Sequence, residues 1–274
     1  MIIYVGFVKN EFMNEFLVFG GRTENGPTER IHTLRPGYFA PKDETLPVPL
    51  YGHCVVTVHP ISDPNSSKVY IIGGYHGRVD ENNGISSDVW LMDYSKQPPE
   101  TVLLNSLRTP RMEHMCGLIV EVAESGVETW KIIVAGGFDG TNSLNSIEIF
   151  DIQDNTDYNQ WRYSASSLNQ SLHGGAMVSD FPEYYELAII GGKSIGRGFS
   201  KKVTRLSWNS TNNDVDVKEN KNTLNYVRAD FALIGDTFYT CPTIPTTPEP
   251  TEAPTNAPTD PTPDPITGAT TEVP

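Results

Sequence analysis

Lys131-Ile-Ile-Val-Ala-Gly136-Gly137 is one of four segments in which a short β-rich run ends in a pair of glycines. The others are Glu15-Phe-Leu-Val-Phe-Gly20-Gly21, Lys68-Val-Tyr-Ile-Ile-Gly73-Gly74 and Glu186-Leu-Ala-Ile-Ile-Gly191-Gly192. Successive doublets lie 53, 63 and 55 residues apart, a period in the range of repeat architectures. A second β-rich run follows each doublet: Ile31 stands 10 residues past Gly21, Ile147 stands 10 past Gly137, and Val203 stands 11 past Gly192. Val89 is 15 past Gly74, and the excess falls in the polar stretch His76 to Ser87, which reads as a longer loop. Val89-Trp-Leu-Met-Asp and Ile147-Glu-Ile-Phe-Asp alternate with the period of two that a strand requires. Upstream, His53, His114 and His173 precede their doublets by 20, 22 and 18 residues.

The physical reading is one four-stranded antiparallel sheet per period. The glycine pair ends the second strand, where backbone angles or a close approach exclude a Cβ. Four short strands cannot bury two apolar faces alone, so successive sheets must stack on one another, and radial stacking gives a propeller. No long amphipathic helix pattern is present, which argues against α/β folds.

On these residues the chain resembles the kelch repeat family, whose motif is a glycine pair after a hydrophobic strand, then an aromatic-containing strand, then a Trp. The third repeat fits best, with Arg111 and His114, Gly136-Gly137, Ile149-Phe150-Asp151 and Trp161. The second matches through Gly73-Gly74 and Val89-Trp90, and Trp208 lies near the matching place in the fourth. The resemblance covers residues 1–241 and implies an all-β, kelch-type propeller. At about 50 residues per blade the segment supplies about five blades, the last cut short at Arg228-Ala-Asp-Phe-Ala-Leu-Ile-Gly-Asp-Thr-Phe-Tyr-Thr-Cys. Kelch-like rings usually hold six or seven blades. The expectation is therefore a piece of a larger propeller, with a small or open ring as the alternative.

Residues 242–274 hold 10 Thr and 10 Pro in 33 positions. Proline at that density removes backbone donors and fixes φ, so the expected state is a disordered or polyproline-like tail. The composition also suits an O-glycosylated stalk. Three Asn-X-Ser/Thr sequons, at Asn65, Asn169 and Asn209, would fit an extracellular protein. The formal charge is −14, and five of the carboxylates (Glu249, Glu252, Asp260, Asp264, Glu272) lie in the tail, leaving −9 on the rest. Such a chain repels phosphate backbones, so nucleic acid is not an expected partner. No apolar run is long enough to span a bilayer. Met1-Ile-Ile-Tyr-Val-Gly-Phe-Val reads as a strand and not as a signal peptide. Three cysteines, Cys54, Cys116 and Cys241, allow one bridge and a spare thiol, or three free thiols.

Candidate chemistry is sparse. The repeat histidines sit one per blade and read as packing, and no metal-binding spacing such as H-E-x-x-H or C-x-x-C occurs. Gly192-Lys193-Ser194 lacks the glycine a phosphate loop needs, since Leu187 stands there. Asp151, Asp154 and Asp157 form a polar turn and not a calcium loop. Cys54 and Cys116 lie in apolar strands, where inert thiols are expected. The stretch Gly192 to Arg205 is the most cationic in the chain, with Lys193, Arg197, Lys201, Lys202 and Arg205.

The resemblance places the binding face on the loops after each doublet and between blades. Transferred by motif, that face holds Arg22, Tyr75, His76, Arg78, Phe138, Asp139, Lys193 and Arg197. The expected function is a non-catalytic module for a protein or glycan partner, without cofactor or metal, extracellular or surface-displayed. An intracellular kelch adaptor or cytoskeleton-binding protein is the alternative. A galactose-oxidase-like copper enzyme fits less well, since the remaining histidines His32, His59 and His76 match no such site.

Overall fold

The structure, a computed structural model, describes residues 6–10, 15–58, 67–77, 83–122, 128–152, 160–179, 186–220, 223–227 and 229. The chain divides into two units, Met1–Gly235 and Asp236–Pro274. The second unit lies outside the described residues, and so do His59, Asn65, Arg78, Asp154, Asp157, Cys241 and all of the expected half-blade 228–241 except Ala229.

The described residues of the first unit form four antiparallel sheets in chain order. The first is β1 (Gly6–Asn10), β2 (Glu15–Phe19), β4 (Gly26–Arg35) and β5 (Tyr38–Leu50), with β3 (Arg22–Thr23) paired to the start of β4. The second is β6 (Cys54–Val58), β7 (Lys68–Tyr75), β8 (Ile85–Asp93) and β9 (Glu100–Leu103). The third is β10 (Met115–Val122), β11 (Glu128–Ala135), β12 (Ser146–Ile152) and β13 (Arg162–Ser167). The fourth is β14 (Ala176–Ser179), β15 (Glu186–Ile190), β18 (Val203–Asn209) and β19 (Asp214–Glu219). A two-stranded hairpin, β16 (Lys193–Ser194) with β17 (Gly198–Phe199), stands between β15 and β18. Each sheet is a plain meander whose second strand carries a doublet. In the second sheet β7 runs through its doublet to Tyr75, and β8 takes up Ile85–Ser87, which the sequence assigned to the loop. The first strands β1, β6, β10 and β14 neighbour one another in turn, so the sheets are blades set around an axis, as a propeller requires.

Alternation along the strands buries both faces of the middle blades. From β11, Ile132 and Val134 join Tyr70, Ile72, Phe150 and Trp161 in the layer shared with the second blade. Ile133 and Ala135 face the other way, into a layer with Leu187, Ile189 and Leu206 of the fourth blade. Likewise Val69 and Ile71 of β7 pack with Leu17, Phe19 and Ile31 of the first blade. One residue of register slip would exchange these faces. Trp161 Nε1 donates to the Asn105 carbonyl at 3.1 Å, and its ring lies 5.0 Å from Phe150, so the motif tryptophan ties this layer to the segment that follows β9. Trp208 does not play that part. It lies on β18 opposite Val215 and occupies the position of Ile152 on β12.

The doublets are where blades lock. Gly73 and Gly74 have φ of +58° and +100°. A Cβ on Gly73 would fall 2.6 Å from the Arg111 carbonyl oxygen and 2.9 Å from the His114 ring, and one on Gly74 would fall 2.8 Å from His53 Cβ. The second glycine of each of the first three doublets donates its N–H to a carbonyl on the segment leading into the next blade: Gly21 to Leu50 at 2.7 Å, Gly74 to Arg111 at 2.9 Å and Gly137 to Leu172 at 2.7 Å. Leu50, Arg111 and Leu172 are thus equivalent, which makes His53, His114 and Gly175 equivalent three residues later. The histidine grouping read from sequence is therefore corrected: His173 lies two residues ahead of the register and matches Tyr51 and Met112. The room beside Gly136 is filled by Met115 Cε, and Met115 Sδ also borders Gly175. A thioether adapts to such a gap.

Two buried features strengthen the second and third blades. Cys54 on β6 and Cys116 on β10 form a disulfide with Cα atoms 6.1 Å apart, so they are not the inert thiols expected. Arg111 and Glu148 are both fully buried, with Arg111 Nη2 2.6 Å from Glu148 Oε1. Arg111 also donates to the Gly136 carbonyl at 2.7 Å and Ser146 Oγ at 3.0 Å, while Glu148 accepts from the Arg108 and Thr109 amides at 2.7 and 3.1 Å. Full partnering is what makes such a burial tolerable. His53 and His114 are buried with no ring hydrogen bond of good geometry. Burial pushes His53 down to about 4, slightly offset by the Phe19 backbone. Burial, then the Arg111 and His53 charges, push His114 down to about 3, with the Arg111 and Ile72 backbone offsetting a little.

Candidate functional site

The first residue past each doublet occupies one structural position in all four blades: Arg22, Tyr75, Phe138 and Lys193. In the last three blades it forms a two-way backbone bridge with the segment leading into its own first strand. Tyr75 pairs with Tyr51 at 2.8 and 3.1 Å, Phe138 with Met112 at 2.8 and 3.0 Å, and Lys193 with His173 at 2.8 and 2.9 Å. These bridges fix side chains from successive blades on one loop face.

The Tyr51 and Tyr75 rings meet at 5.0 Å and 46°, and the Arg22 guanidinium lies 5.4 Å from the centre of the Tyr51 ring. Such a cation over a ring is attracted by the ring's negative face. Burial raises the Tyr51 hydroxyl above its ordinary value; the Arg22 charge opposes the rise, and Tyr75 and Glu113 add to it. Further round, Phe138 lies 5.5 Å from the His173 ring. Ser143 Oγ lies 3.0 Å from His173 Nδ1 and accepts the Ile195 amide at 2.9 Å.

Glu113 joins these parts. Its carboxylate lies 3.3 Å from Lys193 Nζ and 3.9 Å from His173 Nε2. Its backbone continues the ring, donating to the Gly52 carbonyl at 2.7 Å and accepting the Gly174 amide at 2.7 Å. Gly52 and Gly174, at the same position in their blades, have φ of +65° and +64°. Glu113 adopts +52° with a full side chain, a conformation that costs an L residue roughly 1–2 kcal/mol.

Of the residues that the resemblance assigned to the face, Arg22 and Arg197 are exposed, and Tyr75, His76, Phe138, Asp139 and Lys193 are partly exposed. Lys193 is held by Glu113, and Asp139 caps its own turn by accepting the Thr141 and Asn142 amides at 2.8 and 2.7 Å. Arg78 lies outside the described residues. Sequence reasoning missed Tyr51 and Glu113. The available signal was their position one or two residues ahead of His53 and His114. Of the sequons, Asn169 is exposed, while Asn209 caps a turn and its amide donates to Asp216 at 3.2 Å. Among the described residues no group of three His, Cys, Asp or Glu side chains could hold a metal ion, and no helix is long and apolar enough to cross a membrane. Rings, cations and one carboxylate on a rigid face suit recognition of a partner.

Residues 131–166, which run from within β11 to within β13, match the family described as the kelch motif. No curated protein matches the chain. The third blade therefore carries a kelch motif, and with the same strand order and glycine doublets in the other described blades the all-β fold is that of a kelch-type propeller, an architecture that generally mediates protein binding.

Proposed function

We propose that the chain is a non-catalytic module that binds a protein or glycan partner through its loop face, outside the cell or displayed on its surface. The run of Arg22, Tyr51, Tyr75, Phe138, His173 and Lys193 around Glu113 supports the binding role. Tyr and Arg are favoured at binding hot spots, and the backbone bridges hold them in place before any partner arrives, which lowers the ordering cost of association.

The observation that carries the compartment is the Cys54–Cys116 disulfide, because structural disulfides persist in oxidising compartments and are rare in the cytosol. The Thr/Pro composition of residues 242–274 and the exposed sequon at Asn169 support the same reading. Intact mass before and after glycosidase treatment, on protein from its native source, tests it. Glycan mass on a disulfide-bonded chain is the expected result. An unmodified chain with Cys54 and Cys116 as thiols would point instead to the intracellular adaptor. Binding is tested by Tyr75→Ala combined with Phe138→Ala, and full retention of partner capture would remove the face from consideration.

A further inference from the structure

The β16–β17 hairpin of the fourth blade sets three side chains on one exposed tip: Ile195 at 55% exposure, Arg197, and Phe199 at 60%. Each leg of the hairpin is anchored at a buried serine. Ser194 and Ser200 are buried, the Ser200 amide donates to the Gly192 carbonyl at 2.7 Å, and the Ile195 amide donates to Ser143 Oγ of the third blade at 2.9 Å. The tip is therefore held by two blades while its side chains face outward.

Its charge sets it apart. Gly192 to Arg205 contains five cations and no carboxylate in a chain of net charge −14. Three of those cations are already matched, Lys193 by Glu113, Lys202 by Glu219 at 2.8 Å and Arg205 by Glu186 at 3.2 Å. Arg197 and Lys201 have no ion pair among the described residues. The matching hairpin of the first blade, Arg22–Thr23 to Gly26, carries Glu24 at its tip, and the matching turn of the third blade is closed by Asp139. Neither offers a cation between two apolar side chains.

We infer that this tip docks an acidic protein segment in which carboxylates alternate with apolar side chains. Arg197 and Lys201 take the carboxylates, and Ile195 and Phe199 take the apolar groups. Arginine is suited to carboxylates by its planar, forked donor set. The apolar pair distinguishes such a segment from a bare anion, because a sulfated glycan or an anionic lipid headgroup would be held by charge alone. The inference deepens the binding role of the loop face by naming the chemistry that one part of it selects.

The test uses the full chain with two fluorescein-labelled peptides, one of glutamates interspersed with leucine and phenylalanine, and its lysine counterpart, read by fluorescence anisotropy. The acidic peptide should bind and weaken with added salt, and the lysine peptide should not bind. Arg197→Glu with Lys201→Glu should weaken binding roughly tenfold or more, and Ile195→Ser with Phe199→Ser should do the same at unchanged salt dependence. These positions are exposed, so the thermal midpoint should stay put. Loss with Tyr75→Ala and Phe138→Ala but not with the hairpin variants would overturn the inference and leave the loop face standing. No binding of the acidic peptide, equal binding of the lysine peptide, or indifference to the Ile195 and Phe199 substitutions would also overturn it. So would sulfated oligosaccharide or phosphatidylserine vesicles that bind as tightly and respond only to charge reversal.

Discussion

Replacing Arg111 by leucine should destabilise the protein, although leucine is what the neighbouring blades carry at that position. In the native structure Glu148 is fully buried and accepts one hydrogen bond from Arg111 and two from the Arg108 and Thr109 amides. Arg111→Leu deletes the charged partner seen among the described residues and leaves a carboxylate in an apolar blade, at a cost of about 3 kcal/mol, the lower end of the range for broken buried pairs because the two amides remain. Glu148→Thr alone strands the guanidinium, which keeps donors to Gly136 and Ser146, and should cost a similar amount. Opposite residues on β11 and β15 show that Glu148 and Thr204 are equivalent, so the double variant installs the leucine–threonine combination of the fourth blade. It should be clearly more stable than the sum of the singles predicts, with a coupling of about 2 kcal/mol. Urea unfolding of the four proteins, analysed by linear extrapolation, gives the cycle. Additive losses, or a double variant less stable than either single, would refute the reasoning that blades differ only in how they fill one shared position.

Acid should weaken the blade interfaces. His53 and His114 are held near 4 and 3 in the fold, against an ordinary 6.5, mainly by burial. The unfolded chain therefore takes up protons that the native one refuses as pH falls below 6.5. Stability is full above that value and is lost toward pH 4, by about 2 kcal/mol per histidine between pH 7 and pH 5. Thermal melts followed by circular dichroism should show the fall, and His53→Gln with His114→Gln should flatten it; an unchanged slope would sink the assignment. Gly74→Ala should cost about 3 kcal/mol or more, since its Cβ would strike His53. Gly196→Ala meets nothing within 4 Å and should lose only about 1 kcal/mol to its left-handed φ; equal losses in urea titrations would contradict the clamp. Cys54→Ser with Cys116→Ser opens a bridge across 62 residues and should lower stability by about 2–4 kcal/mol, read as a drop in thermal midpoint that reductant reproduces in the parent protein.

The blades were legible in the sequence because glycine doublets answer a local steric demand that recurs once per period. The period-two runs then set which side chains face which neighbour, as Ile132 and Ile133 show by entering different layers. What stayed hidden depends on neighbours distant in the chain. Grouping His173 with His53 and His114 failed by two residues because the hairpins between first and second strands differ in length, so spacing to the doublet does not carry register. The Cys54–Cys116 bridge was open, since connectivity needs spatial proximity and not spacing. On the face, Tyr75 and Phe138 followed from the motif. The Glu113–Lys193 pair did not, because it joins residues 80 positions apart on different blades. The apolar flanks of Arg197 escaped notice because the stretch Gly192 to Arg205 stood out by its charge alone, and the exposure of Ile195 and Phe199 follows only from the hairpin it forms.

Non-reducing peptide mapping tests the stacking of blades most directly. Cys54 and Cys116 can be joined only if the first strands of consecutive sheets lie side by side. Trypsin should therefore release Asp43–Lys68 disulfide-linked to Met112–Lys131, the pair separating on reduction. Recovery of both peptides as free thiols from oxidised, native protein, or of either one linked to the peptide that holds Cys241, would contradict the arrangement.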